Sequence, residues 1–126
     1  MAKYLPDGII DLMLAEIRKQ VTGISVCSTQ PTTYAHATST YMLADTNGIT
    51  STKFTLDNGD TSGRKITLAA QNSLTVDVTG TAAHVAWWST TGSGLLVLVT
   101  TCTTQALTTG NTVNVPAHDF EIRDVA

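Results

Sequence analysis

Charge is scarce in this sequence: 13% of its 126 residues are Asp, Glu, Lys or Arg, about half the usual fraction for a soluble domain. Only 7 are Lys or Arg, against 10 Asp or Glu, and they are scattered. The clustered cations that phosphate contacts require are missing, so a nucleic-acid partner is not expected. The two cysteines, Cys27 and Cys102, match no CxxC or zinc spacing. Free thiols are expected from protein made in a reducing cytoplasm, and a Cys27–Cys102 bridge is the alternative that the sequence leaves open. Long apolar runs are also missing. Ile9 to Leu14 is interrupted by Asp11 and followed by Glu16, so it has neither the uncharged core of a signal peptide nor the length of a membrane span. No membrane partner is expected. Asn47, Asn58, Asn72, Asn111 and Asn114 all fail the N-glycosylation sequon. The 3 prolines form no linker, no repeat is visible, and the length suits a single domain over residues 1–126.

What is abundant is Thr, which with Ser makes up about a quarter of the chain. Low charge and many β-branched residues favour strands. One segment departs from this. Over residues 7–21, Ile9, Ile10, Met13, Leu14, Ile17 and Val21 recur at the helical period, opposite Asp11, Glu16, Arg18, Lys19 and Gln20. Asp7 is expected to cap this helix and Gly23 to end it. A helix of this length is marginal alone in water, so its stripe must be buried.

From residue 24 onward short runs of Thr, Val, Ile and Leu alternate with turn signals. Strands are expected near 24–28, 40–45, 52–57, 64–70, 73–79, 82–89, 95–101, 112–115 and 119–123. Phe54 and Leu56, then Ile66, Leu68 and Ala70, then Leu74, Val76 and Val78 mark apolar faces. Leu95 to Val99 does not alternate, which predicts a strand covered on both faces. Asn58-Gly59 reads as a type I′ hairpin turn, and Gln71-Asn72 as another turn. The fold class is therefore mainly β, an antiparallel β-sandwich over 24–126 with one N-terminal amphipathic helix lying across the outside of a sheet.

Chemistry is sparse. His36, His84 and His118 form no local metal signature, and the Asp57-Asn58-Gly59-Asp60 segment lacks the alternating acids of a calcium loop. Ser93 lies between glycines but not in a nucleophile elbow. Asp119, Glu121 and Arg123 alternate with Phe120 and Ile122, which describes the solvated face of a last strand rather than an acid/base pair. Neither catalysis nor a cofactor is expected. Trp87 and Trp88 point to opposite faces of one strand and so cannot form one stacking platform. Their strand is expected to be covered on both faces, with the helix or a neighbouring subunit as one cover. Trp88, together with Met13 and Ile17 on the helix, is a candidate assembly contact.

Several segments in order resemble a known family. Tyr4-Leu5-Pro6-Asp7 and the helix precede Val26-Cys27-Ser28-Thr29-Gln30-Pro31-Thr32-Thr33-Tyr34-Ala35-His36-Ala37-Thr38. Gly59-Asp60-Thr61-Ser62-Gly63-Arg64-Lys65, Gly80-Thr81-Ala82-Ala83-His84-Val85-Ala86, Leu107-Thr108-Thr109-Gly110-Asn111-Thr112 and Phe120-Glu121-Ile122 follow. Together they resemble small structural proteins encoded among the head and tail genes of tailed bacteriophages and prophages. The Trp87–Ser93 stretch departs from the family's shorter, less aromatic turn. The resemblance implies a non-enzymatic virion protein, made in the bacterial host cytoplasm and present in many copies as a homo-oligomer. Capsid decoration or cementing is the leading expectation, with the major capsid protein as partner. A tail or collar component, or a surface module that binds a glycan or receptor, is the alternative.

Overall fold

The computed structural model describes residues 4–124. Helix α1 (Asp7–Gln20) is followed by nine strands: β1 (Gly23–Cys27), β2 (Met42–Asn47), β3 (Phe54–Asn58), β4 (Arg64–Leu68), β5 (Gln71–Thr75), β6 (Gly80–Ser89), β7 (Leu95–Leu107), β8 (Thr112–Val115) and β9 (His118–Ile122). Each of the nine overlaps one of the strands expected from the sequence. The protein is mainly β, with antiparallel sheets and one N-terminal helix.

Three sheets form, in the orders β2-β1-β6-β7, β3-β4-β9 and β5-β8. Their inward residues meet in one core. Ile24, Val26, Val85 and Trp87 come from the first sheet, Phe54, Ile66 and Leu68 from the second, and Leu74, Val113 and Val115 from the third. Ile10 and Leu14 of α1 join the same cluster. Arg64 shares a face of β4 with Ile66 and Leu68, and its Nε donates to Asp11 Oδ1 at 2.7 Å. The helix therefore closes the core from the inner side of the β3-β4-β9 sheet instead of lying across the outside.

The buried helix stripe is narrower than expected. Ile10, Leu14 and Val21 are buried and Ile17 is half-buried, whereas Ile9 and Met13 are exposed. Successive residues are rotated by about 100°, so residues one position before Ile10 and Leu14 swing off the packed face. Pro6, not Asp7, caps the helix; its carbonyl accepts from the amides of Ile9 and Ile10, and Asp7 is an acid in the first turn. Gly23 opens β1 rather than ending the helix. A Cβ there would lie 2.3 Å from the Trp88 ring, so the missing side chain is what lets the indole sit down on the strand.

Two turns differ from expectation. Asn58 pairs with Arg64, leaving a five-residue loop over 59–63 whose left-handed residue is Gly63 (φ 68°), not a two-residue turn at Asn58-Gly59. Gln71-Asn72 lies within β5, where Ser73 (φ 60°) forms a bulge and donates its amide to Asn114 Oδ1 at 2.8 Å. Leu95 to Val99 meets cover on both faces, but incompletely: Leu96 and Val99 pack on the Trp88 cluster, and Val97 and Leu98 on the main core. β7 ends its sheet, Leu95 is 49% exposed, and residues 96–99 are half-buried. With β6 on one side only, no neighbouring strand covers their flanks.

Candidate functional site

The two tryptophans of β6 occupy different environments. Trp87 is fully buried in the main core, edge-on to Phe54, and its Nε1–H donates to His118 Nε2 at 2.8 Å. His118 must accept at Nε2 and so carries its proton on Nδ1, which donates to the Pro116 carbonyl at 3.0 Å. This histidine is a structural clasp between β6 and β9. Trp88 faces the other side of the sheet with Cys27, Ala37 and Ala86, and is 3% exposed.

The cover over Trp88 is neither the helix nor a second subunit. The 28–41 segment folds back across the sheet, closed by the Ser28 amide donating to the Tyr41 carbonyl and carrying a single π-helical turn at His36–Thr40. Ser25 donates its hydroxyl to the Ala37 carbonyl, and Tyr34 packs edge-on against Trp88 with ring centroids 5.8 Å apart. The expectation that this strand is covered on both faces is met; the identity of the cover is corrected. Trp88 is thus buried within the chain and does not present itself as an assembly contact. Ile17 packs against the core, and Met13 stays 46% exposed on the outside of α1.

The cysteines fall into different clusters. Cys27 belongs to the Trp88 side, Cys102 packs against the main core, and both are free. Burial raises the pKa of each thiol, which keeps them protonated and weak as nucleophiles.

A groove of about 420 Å³ runs beside Cys102 between β7 and the β8–β9 connection, lined by Val85, Thr100, Thr103, Val115, Pro116 and His118 among others. It adjoins a smaller hollow of about 200 Å³ that reaches Gln105 and Asn114. No charged side chain lines either. His118 Nε2 is occupied by Trp87, so Cys102 has no free base beside it. The groove offers hydroxyls and amides over an apolar floor, and no acid/base pair.

The carboxylates at the end of the chain are likewise committed. Glu121 Oε1 accepts the Thr61 amide and Oε2 accepts from Arg123 Nε, both at 2.9 Å, and the Thr61 bond above all holds its pKa below the ordinary value. Asp119 lies 3.5 Å from Lys65, which also binds Asp60. Only part of this is the solvated face that the alternation implied, since Glu121 is largely covered and anchors the 59–63 loop. Sequence reasoning missed the pair Asp45 and Asp77, which β2 and the 76–78 segment bring together. Burial and then Asp77 push Asp45 up. Their separation of 32 positions left no local signal. Among the described residues, no three His, Cys, Asp or Glu side chains are placed to hold a metal ion, and no helix is long and apolar enough to cross a membrane.

Of the six large exposed apolar side chains among the described residues, four lie on α1 and its approach, Tyr4 (85%), Leu12 (67%), Ile9 and Met13, and the others are Val78 and Leu95. Fold and surface together define a small mainly β module whose one helix exposes Ile9, Leu12 and Met13 alongside charged Glu16 and Lys19. No protein-family model, curated protein or solved structure matches the chain.

Proposed function

We propose that this chain is a non-enzymatic structural protein of a tailed-phage particle, a capsid decoration or cement protein that docks on the major capsid protein. The observation that carries the reading is an exposed apolar cluster on α1. Met13 and Leu12 lie four and three residues from Ile9, off the packed Ile10–Leu14 stripe, and Tyr4 is exposed on the approach to the helix. An apolar cluster of this kind, on a chain with little charge, suits attachment to a protein surface better than it suits water. The resemblance of the ordered Thr-rich segments to small phage virion proteins supplies the setting. Groove chemistry agrees, since the side chains that line it include no base free to activate a nucleophile.

A second reading, a particle-surface module that binds a glycan or receptor, is favoured by the uncharged groove beside β7, where Gln105 and Asn114 offer amides above Val85 and Val113. Copy number separates the two. Quantitative mass spectrometry of purified particles should give a fixed, simple ratio of this chain to the major capsid protein. A few copies per particle would instead favour a tail, collar or receptor-binding position, and absence from particles would overturn both readings.

A further inference from the structure

The strand edges of this protein are protected unequally. In the second sheet, β3 carries one charge near its end, Asp57, and β9 carries Asp119 and Glu121. β5 and β8 are short, and β5 is interrupted by the bulge at Ser73. The β2 edge of the first sheet is covered: Ala44 bridges to Val76, and the amides of Asp77 and Val78 donate to the Leu43 carbonyl. The opposite edge of that sheet is β7, 13 residues long, and among the described residues no strand pairs on its outer side. Leu-Leu-Val-Leu-Val-Thr-Thr-Cys-Thr-Thr-Gln-Ala-Leu contains no charged residue and no proline, the two commonest guards of an open edge.

We propose that β7 is an interface strand, and that it pairs antiparallel with β7 of a second copy of this chain. Three observations converge on a copy of the same strand. Leu96 and Val99 pack on the Trp88 cluster and Val97 and Leu98 on the main core, yet all four stay half-buried on a strand that ends its sheet. A second β7 supplies the missing flank and joins two four-stranded sheets into one of eight strands. Register shifts against β6 place extra residues of β7 near Val97 and between Thr101 and Gln105, so Leu98 to Thr101 is a regular segment with its outer backbone groups free. A two-fold axis perpendicular to a sheet relates opposed residues that share a face, so it must pass midway between a residue and its own copy; in this segment that residue is Val99 or Thr100. Either choice sets uncharged Leu, Val, Thr and Cys against one another, with no like charges opposed. A strand bearing Lys or Asp would find no counter-charge here. This pairing does not depend on the protein's place in a particle.

Sedimentation velocity of the purified full chain across the micromolar range tests the proposal, together with Thr100→Lys and Thr100→Glu. Thr100 is half-buried and lies at the axis or one residue from it, so identical charges there come close together in the dimer and reach water in the monomer. We expect wild type to dimerise with concentration, each variant alone to associate at least about tenfold more weakly, and an equimolar mixture of the two to recover a one-to-one dimer. Circular dichroism establishes that each variant is folded. If either is not, hydrogen exchange of the wild-type amides at 98–101 decides, with protection expected to rise on dimerisation. A wild type that sediments as a monomer throughout, a dimer that both like-charged variants form as readily as wild type, or a dimer whose 98–101 amides exchange as fast as the monomer's would overturn it.

Discussion

The two outer strands of the four-stranded sheet, β2 and β7, have been finished in opposite ways. β2 is six residues long, and the 76–78 segment lies along it, satisfying the Leu43 carbonyl and bridging at Ala44. β7 is more than twice that length, uncharged, and bare along its outer side. Both strands belong to the same sheet and flank the same two inner strands, so local propensity does not explain the contrast. Burial does. Leu43 and Ala44 are at most 3% exposed, whereas every residue from Leu95 to Thr100 is partly or largely exposed. One edge is completed by its own chain and the other is left for a second one.

The strongest way to break the comparison is to remove what both edges share. Trp87 fills the core beneath the sheet, so Trp87→Ala should cost about 3–5 kcal/mol in urea unfolding and abolish the order of β2 and β7 together. A finer change opens the closed edge alone. Val76 is 1% exposed beneath the segment that covers β2; Val76→Ala should cost about 2 kcal/mol and accelerate hydrogen exchange along Met42–Asn47, with β7 unaffected.

Electrostatics sharpens the same edge from the other direction. The folded-state pKa of Asp45 lies above its unfolded value, so its negative charge weighs against the fold once the pH exceeds the raised pKa, and the penalty disappears as pH falls through that value to the ordinary carboxylate range. Asp45→Asn should therefore raise the neutral-pH melting temperature, by less than about 1 kcal/mol in stability after solvent screening, and the gain should vanish on acidification. The smallest effect belongs to the open edge. Leu95 is half out in water, so Leu95→Lys should leave monomer stability within about 0.5 kcal/mol; a large loss in the monomer would mean that β7 is held by contacts within the chain.

Much of this architecture was legible in the residues. Alternation at Phe54 and Leu56, at Ile66 and Leu68, and at Leu74 and Val76 reports which face is buried, because side chains on a strand have a period of two. Alternation says nothing of which strand lies alongside, so the order β2-β1-β6-β7 and the edge position of β7 could not be read. Gly23 looked like a helix stop because its other property, room for the Trp88 ring, depends on a residue 65 positions away. The same limit hid the Trp87–His118 hydrogen bond and the Asp45–Asp77 pair. The cover over Trp88 was misassigned for a different reason: residues 28–41 have no periodic pattern, and a loop held by single contacts such as Ser25 to Ala37 leaves no pattern to read. The non-alternating run at Leu95 to Val99 points to cover on both faces and meets packing on both, though only in part, since alternation does not show that β7 is an edge.

Hydrogen exchange followed at both edges in one experiment, on dilute and then concentrated wild-type protein, tests the contrast most directly. The amides of Met42–Asn47 should exchange at the same rates in both samples, while those of Leu98 to Thr101 should become protected as concentration rises. Unchanged exchange at 98–101 across the full range would contradict the account, because β7 would then be an edge that the protein leaves open to water.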